Sequence, residues 1–218
     1  KRNIKNLKKI IIASSYCEDL ARFFFQRNYE VYAICIYPSR NLKRFCKNVY
    51  STKNYSSNYI TDLIDKIDPK KQMKILIGSG FAENIKSPKL FLERENYGNS
   101  FETIKKLKSE LFFKILKREK IDFPKSIKFK PADGKWLIKS FNSFGGQNVN
   151  LYVDNKNLKP KEYLQEKIIG EQISVQFSAQ KKEINILGIF EQVLKNPEKG
   201  NFFIKSLISK RVTLKFYE

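Results

Sequence analysis

Short apolar runs alternate with polar, lysine-rich stretches along the whole chain, and the period of the apolar positions switches between two and about 3.6. Lys9-Ile10-Ile11-Ile12-Ala13 predicts a short buried strand and Ser14-Ser15-Tyr16 a turn. From Glu18 to Asn28 the apolar residues Leu20, Ala21, Phe24 and Phe25 fall at helical spacing, and Tyr29–Ile36 reads as a second strand. A strand–helix–strand unit of this length implies parallel strands joined by a right-handed crossover. Asn58–Ile67 predicts another helix, Lys74–Ile77 another strand and Gly78-Ser79-Gly80-Phe81 the loop after it. Ligands of open parallel sheets collect at the carboxyl ends of the strands. Ser14, Ser15, Gly78, Ser79, Gly80 and Phe81 are therefore candidate walls of a substrate site. Ordinary turn chemistry accounts for the same residues, and Ala13-Ser14-Ser15-Tyr16 lacks the glycine fingerprint of a dinucleotide site.

A junction is expected between Ser87-Pro88 and Gly98-Asn99. Ser100 to Lys120 then predicts one helix, whose stripe includes Phe101, Ile104, Leu107, Leu111, Ile115 and Leu116, with lysines on the solvated face. Past Ile121-Asp122-Phe123-Pro124, the stretch Trp136–Asn150 reads as strand, glycine loop, strand. Glycines let backbone N–H groups approach an anion closely. Lys139, on the strand entering the loop, is placed to hold a phosphate as a point charge. From these residues alone a plain hairpin with a glycine turn is the favoured reading, because short glycine motifs recur by chance. Lys161–Gly170 predicts a strand broken at its glycine. Gln172–Ala179, a turn at Lys181-Lys182-Glu183 and Ile184–Gln192 predict a hairpin, and Val212–Glu218 alternates as a further strand. The expected fold is α/β: a Rossmann-like parallel sheet over residues 1–95, then a mainly antiparallel α+β lobe over residues 96–218.

Composition narrows the classes. With 41% hydrophobic and 30% charged residues the chain is globular rather than disordered. The formal charge of +21 raises nucleic acid, membrane surfaces and acidic ligands as partners. The lysines are scattered along the chain rather than gathered in a patch, so only weak, sequence-independent nucleic-acid binding is expected. No apolar run approaches the roughly 20 residues of a membrane-spanning helix, and no membrane partner is expected. Cys17, Cys35 and Cys46 form no CxxC pair, and an odd count argues against a disulfide framework. A reducing cytoplasm is the expected location. The absence of histidine removes the common metal and acid–base arrangements.

Several separate stretches, in order, resemble the ATP-grasp superfamily. They are the helix ending in Ile121-Asp122-Phe123-Pro124, Trp136-Leu137-Ile138-Lys139 with its glycine loop, and Leu164-Gln165-Glu166-Lys167-Ile168-Ile169-Gly170-Glu171-Gln172-Ile173-Ser174. Ile77-Gly78-Ser79-Gly80-Phe81 and Leu187-Gly188-Ile189-Phe190-Glu191-Gln192 further resemble a bacterial and archaeal branch of predicted ligases related to tyramine–glutamate ligases. The resemblance implies a pre-ATP-grasp domain over 1–95 and an ATP-grasp domain over 96–218. It also implies ATP bound between two α/β lobes and a carboxylate activated as an acylphosphate that an amine or similar nucleophile then attacks. Such chemistry needs positioning and charge neutralisation more than a protein nucleophile. By this resemblance Lys139 is the catalytic lysine on the ATP phosphates, and Lys108 the second phosphate-side lysine. Ser143, Phe144, Gly145 and Gly146 form the loop over the phosphates, and Gln165, Glu166, Lys167 and Ile168 the hinge reading adenine. Glu171 holds the ribose hydroxyls. Without the resemblance, Glu166 and Glu171 read as surface charge at strand ends.

The family also implies Mg2+, held by a glutamate and an acidic-x-Asn pair on later strands; magnesium takes hard oxygen ligands and bridges nucleotide phosphates. No such motif follows Gln192, and neither Glu191 nor Glu198 matches it. Truncation of the domain at its C-terminal end is the expected cause, with a degenerate ligase as the other. Two further readings stand beside the carboxylate–amine ligase: a non-catalytic ATP-binding regulatory module, and a nucleic-acid binder in which bases and the 18 Phe and 11 Tyr track a strand.

Overall fold

The computed structural model describes residues 7–54, 56–129, 135–143, 145–146, 148–153, 157–180, 183–197 and 200–210. The chain divides into two compact units, Lys1–Glu119 and Lys120–Glu218.

The first unit is built on a four-stranded sheet: β1 (Lys8–Ser14), β2 (Tyr29–Cys35), β3 (Asn48–Ser51) and β4 (Lys74–Ile77), in the order β3-β2-β1-β4. Every pairing is parallel, with Ile10 opposite both Val31 and Lys74. Because β1 is central, alternate residues bury on opposite faces. Ile10 and Ile12 pack with Ala21 and Phe24 of α1 (Glu18–Gln26), whereas Ile11 and Ala13 pack with Ile60 and Ile64 of α2 (Ser57–Ile67). The order reverses between β1 and β4, so their carboxyl ends form the switch point at which such sheets bind ligands. The three cysteines are free, and the Cys17 and Cys35 thiols donate to backbone carbonyls, including those of Ser14 and Ser15. Burial pushes the Cys46 thiol up to about 12.

Sequence periodicity missed β3 and the short α3 (Lys89–Glu93), each too brief to show a period, and also the longer strand Asn201–Ser209. The single helix expected over Ser100–Lys120 is two helices, α4 (Phe101–Leu107) and α5 (Leu111–Arg118). The Ser109 hydroxyl donates to the Lys106 carbonyl and accepts from the Leu111 N–H, competing with the helical ladder.

The second unit holds two separate sheets. One contains β5 (Ser126–Ile127), β6 (Trp136–Ser140), β7 (Asn150–Leu151) and β8 (Glu162–Glu166), in the order β5-β8-β6-β7 and wholly antiparallel. The other is an antiparallel meander of β9 (Ile173–Gln180), β10 (Glu183–Asn196) and β11 (Asn201–Ser209). Parallel α/β followed by antiparallel sheets is the architecture expected from the pattern. The Val212–Glu218 strand, the Lys181-Lys182 part of the expected turn and Phe144 lie outside the described residues.

Candidate functional site

A cavity of about 520 Å³ opens in the second unit, lined from both of its sheets. Strand alternation builds one wall. Trp136 and Ile138 turn into a small core with Leu164, so Leu137, Lys139 and, on the neighbouring strand, Gln165 take the opposite face and line the cavity. The register places Gln165 opposite Leu137 and diagonal to Lys139, which sits opposite Tyr163. Diagonal neighbours are within reach of long side chains: Lys139 Nζ donates to Gln165 Oε1 at 2.6 Å. Gln165 Nε2 in turn donates to Ser126 Oγ at 3.1 Å. Lys139 is half-buried, and the loss of solvent pushes its ammonium pKa down.

The glycine loop supplies Gly146 to the same cavity. Gly145 and Gly146 have φ of 56° and 79°, the left-handed region that glycine enters without a Cβ clash. Ser143 closes a turn through its N–H to the Ser140 carbonyl, 3.1 Å away. Glu166, Lys167 and Ile168 continue from β8 along the cavity rim. Two of their backbone donors are already used: Glu166 N–H bonds the Lys125 carbonyl and Lys167 N–H the Lys135 carbonyl, both at 2.9 Å. Glu171 also lines the cavity, but its carboxylate accepts from Lys210 Nζ at 2.9 Å, and Lys210 reaches Glu191 at 3.4 Å. That pairing raises the Lys210 pKa.

The wall missed by sequence reasoning comes from the meander: Gln192 and Leu194 of β10 and Phe202 and Ile204 of β11. An apolar side with a few convergent polar groups suits a small-molecule site, and the volume lies within the usual range of roughly 300–1,000 Å³. Gln192 ends the Leu187–Gln192 stretch that carries part of the resemblance, but no motif marks Leu194, Phe202 or Ile204.

The substrate-side candidates gather in the first unit. The Ser15 N–H and hydroxyl both bond the Ser79 carbonyl, at 2.7 and 2.9 Å, and Gly78 N–H bonds the Ala13 carbonyl at 2.7 Å. The ends of β1 and β4 are thus stitched together at the switch point. Phe81 is fully buried in the core and anchors the loop from beneath rather than walling a site. Glu83, unmarked in the sequence, accepts from Gly80 N–H at 2.6 Å and lies 3.6 Å from Lys108 Nζ. Lys108 follows the last turn of α4. A Cβ on Gly78 would sit 2.7 Å from Ser14 Oγ and 2.9 Å from Ser14 Cβ. Gly78→Ala is therefore expected to destabilise the first unit by about 1–3 kcal/mol, the usual cost of overpacking. Adding Ser14→Gly should recover most of that loss in chemical denaturation; no recovery would show the strain to lie elsewhere.

Among the described residues no group of three or more His, Cys, Asp or Glu side chains is placed to hold a metal ion. The carboxylates nearest in kind, Glu171 and Glu191, are engaged with Lys210. Among the described residues these two carboxylates are thus paired to a lysine rather than grouped into a protein cage for a metal ion. Among the described residues no helix is long and apolar enough to cross a membrane.

Residues 106–214 match the model of the ATP-grasp domain. No curated protein matches the chain. Solved structures share the fold. N5-carboxyaminoimidazole synthetase from Staphylococcus aureus, complexed with ADP, is 16% identical with a TM-score of 0.62 over 89% of this chain and 58% of its own. L-amino acid ligase from Bacillus licheniformis is 12% identical, with a TM-score of 0.69 over 97% of this chain and 56% of its own. A putative ATP-grasp superfamily protein from Archaeoglobus fulgidus is 16% identical, with a TM-score of 0.62 over 95% and 67%. The chain thus spans just over half the length of the synthetase and the amino acid ligase.

Proposed function

Because the chain belongs to the ATP-grasp family, we propose that it is, or forms part of, an ATP-dependent ligase that joins a small-molecule carboxylate to an amine or similar nucleophile. The observation that carries this reading is the convergence of Lys139, Gly146, Glu166, Lys167, Ile168 and Glu171 on one cavity. In sequence these residues are dispersed over more than 30 positions. A structurally similar synthetase was solved with ADP, in keeping with a nucleotide in this cavity.

In this reading Lys139 neutralises phosphate charge, and the Gly145–Gly146 turn brings backbone donors to the same anion. The hinge Gln165–Ile168 holds the base, with Glu166 and Lys167 N–H groups committed to the sheet. Glu171 exchanges Lys210 for the ribose hydroxyls. Ser143 keeps its place beside the phosphates. A carboxylate oxygen attacks the γ-phosphorus and ADP leaves; the amine nitrogen then attacks the acyl carbon, phosphate leaves and an amide forms. Residues 1–95 serve the substrates and residues 96–218 the nucleotide. Ser14, Ser15, Gly78, Ser79 and Gly80 lie on the substrate side, and Lys108 is assigned to the phosphates. Magnesium would enter with ATP, and no step is assigned to a protein-held metal. Three free cysteines agree with a cytoplasmic location.

ATP with magnesium is expected to raise the thermal midpoint of the chain. A ligand at about a hundred times its Kd adds about 2.7 kcal/mol. No shift at millimolar ATP would remove nucleotide binding from the account. A shift without ADP formation in the presence of carboxylates and amines would leave the non-catalytic module.

A further inference from the structure

The family resemblance places Gln165 in the adenine hinge, a role for its backbone. Its side chain does something else. The residue is buried, 9% exposed, and its amide is bonded at both ends: Oε1 to Lys139 Nζ and Nε2 to Ser126 Oγ. Ser126 Oγ itself donates its one proton to the Pro124 carbonyl at 3.0 Å. A hydroxyl has one proton and two lone pairs, so with its proton committed Ser126 can only accept from Gln165. That fixes the amide: the NH2 faces Ser126, and the carbonyl oxygen must face the lysine. Turned the other way, the amide would set two donor groups against each other and leave a buried donor unsatisfied, which costs more than an ordinary hydrogen bond contributes.

We propose that Ser126 and Gln165 are positioning residues that form a polarised relay, Pro124 carbonyl to Ser126 to Gln165, holding the Lys139 ammonium in the cavity. The relay extends the ATP reading above, since it rests on Lys139 being the phosphate lysine. Desolvation works against the charge on Lys139. A neutral acceptor supports that charge without cancelling it, which a carboxylate at position 165 would do. The ammonium thus stays available to an incoming anion. The relay also gives β5, a two-residue strand paired to β8 at Ser126 and Gln165, a part in the site behind Gln165.

The test uses the full chain labelled with 13C-lysine, without nucleotide. The Lys139 ε-methylene signal is assigned by its loss in Lys139→Arg. Gln165→Leu and Ser126→Ala should both move this signal, and the double variant should match Gln165→Leu alone, because Ser126 acts only through the amide. Ser126→Thr, which keeps the hydroxyl, should rescue the wild-type position. In parallel, calorimetric titration should show Gln165→Leu raising the Kd for ATP about tenfold and Ser126→Ala about threefold, the scale of single hydrogen bonds. Thermal midpoints show that each variant is folded. An unmoved lysine signal in Gln165→Leu and Ser126→Ala, or Ser126→Thr behaving like alanine, overturns the relay. If the signal responds as stated but ATP does not bind wild type, the relay stands and the nucleotide reading falls.

Discussion

Arg94→Met is expected to destabilise the first unit by about 3–5 kcal/mol, the cost of removing one partner from a buried ion pair. The Arg94 side chain is fully buried. Its Nη2 donates to Asp65 Oδ1 at 2.7 Å and to the Asp68 carbonyl at 3.0 Å, while Nε lies 3.4 Å from Asp68 Oδ2. Asp68 is the C-terminal cap of α2, so the guanidinium also meets the negative end of that helix. The Asp68 carboxylate is held in turn by the N–H groups of Gln72 and Met73. Methionine fills similar volume but takes the cation from Asp68 and leaves Asp65 with only Lys89, 3.6 Å away. Arg94→Lys should lose less, since charge survives while the planar fork does not. Urea unfolding followed by far-UV circular dichroism measures the loss. Trp136 is the only tryptophan and reports on the second unit, so its fluorescence separates the two. A loss below about 1 kcal/mol would mean that the ion pair contributes nothing beyond its own desolvation.

The second large effect concerns ligand binding. Lys139→Ala should weaken ATP binding by about 1.5–3 kcal/mol, the scale of a charge-assisted hydrogen bond. Folding stability should change far less. The lysine sits half-buried with its ammonium pKa depressed by lost solvent, so deleting it removes a desolvation cost together with one bond to Gln165. Lys139→Arg should also impair binding, because a planar fork does not replace a compact ammonium at this distance from Gln165. Calorimetric titration of wild type and both variants decides the matter. Equal affinities would make Lys139 an ordinary strand lysine and return Trp136–Asn150 to the reading of a plain hairpin.

Much of the first unit was legible in the chain because its signals are local. Ile10-Ile11-Ile12-Ala13 is apolar at every position, which suits only a strand covered on both faces, and the structure buries all four. The helical spacing of Leu20, Ala21, Phe24 and Phe25 between two such runs already implied parallel β1 and β2. Element edges were less visible. Ser109 interrupts a stripe that runs on through Leu111 and Ile115, and periodicity does not register a side chain that bonds the backbone.

For the site, the residues with chemical character were visible one at a time. Lys139 announces itself by its place between an apolar strand and paired glycines, and Glu166-Lys167 and Glu171 by their order after it. Nothing in the sequence tells that Gln165 lies diagonal to Lys139, for that depends on the β6–β8 register, fixed by packing Trp136, Ile138 and Leu164 on the other face. Nor does it show that Ser126, 39 residues away, orients the amide. Gln192, Leu194, Phe202 and Ile204 became a wall only when two sheets approached. The pairing of Lys108 with Glu83 and of Glu171 with Lys210 likewise rests on contacts far apart in the chain. Periodicity records which side of an element is apolar, so the sequence by itself determined most of the longer elements and their type, but not β3, α3, β11 or the break at Ser109. Which polar groups meet depends on register and sheet packing, and those were decided only when the chain had closed on itself.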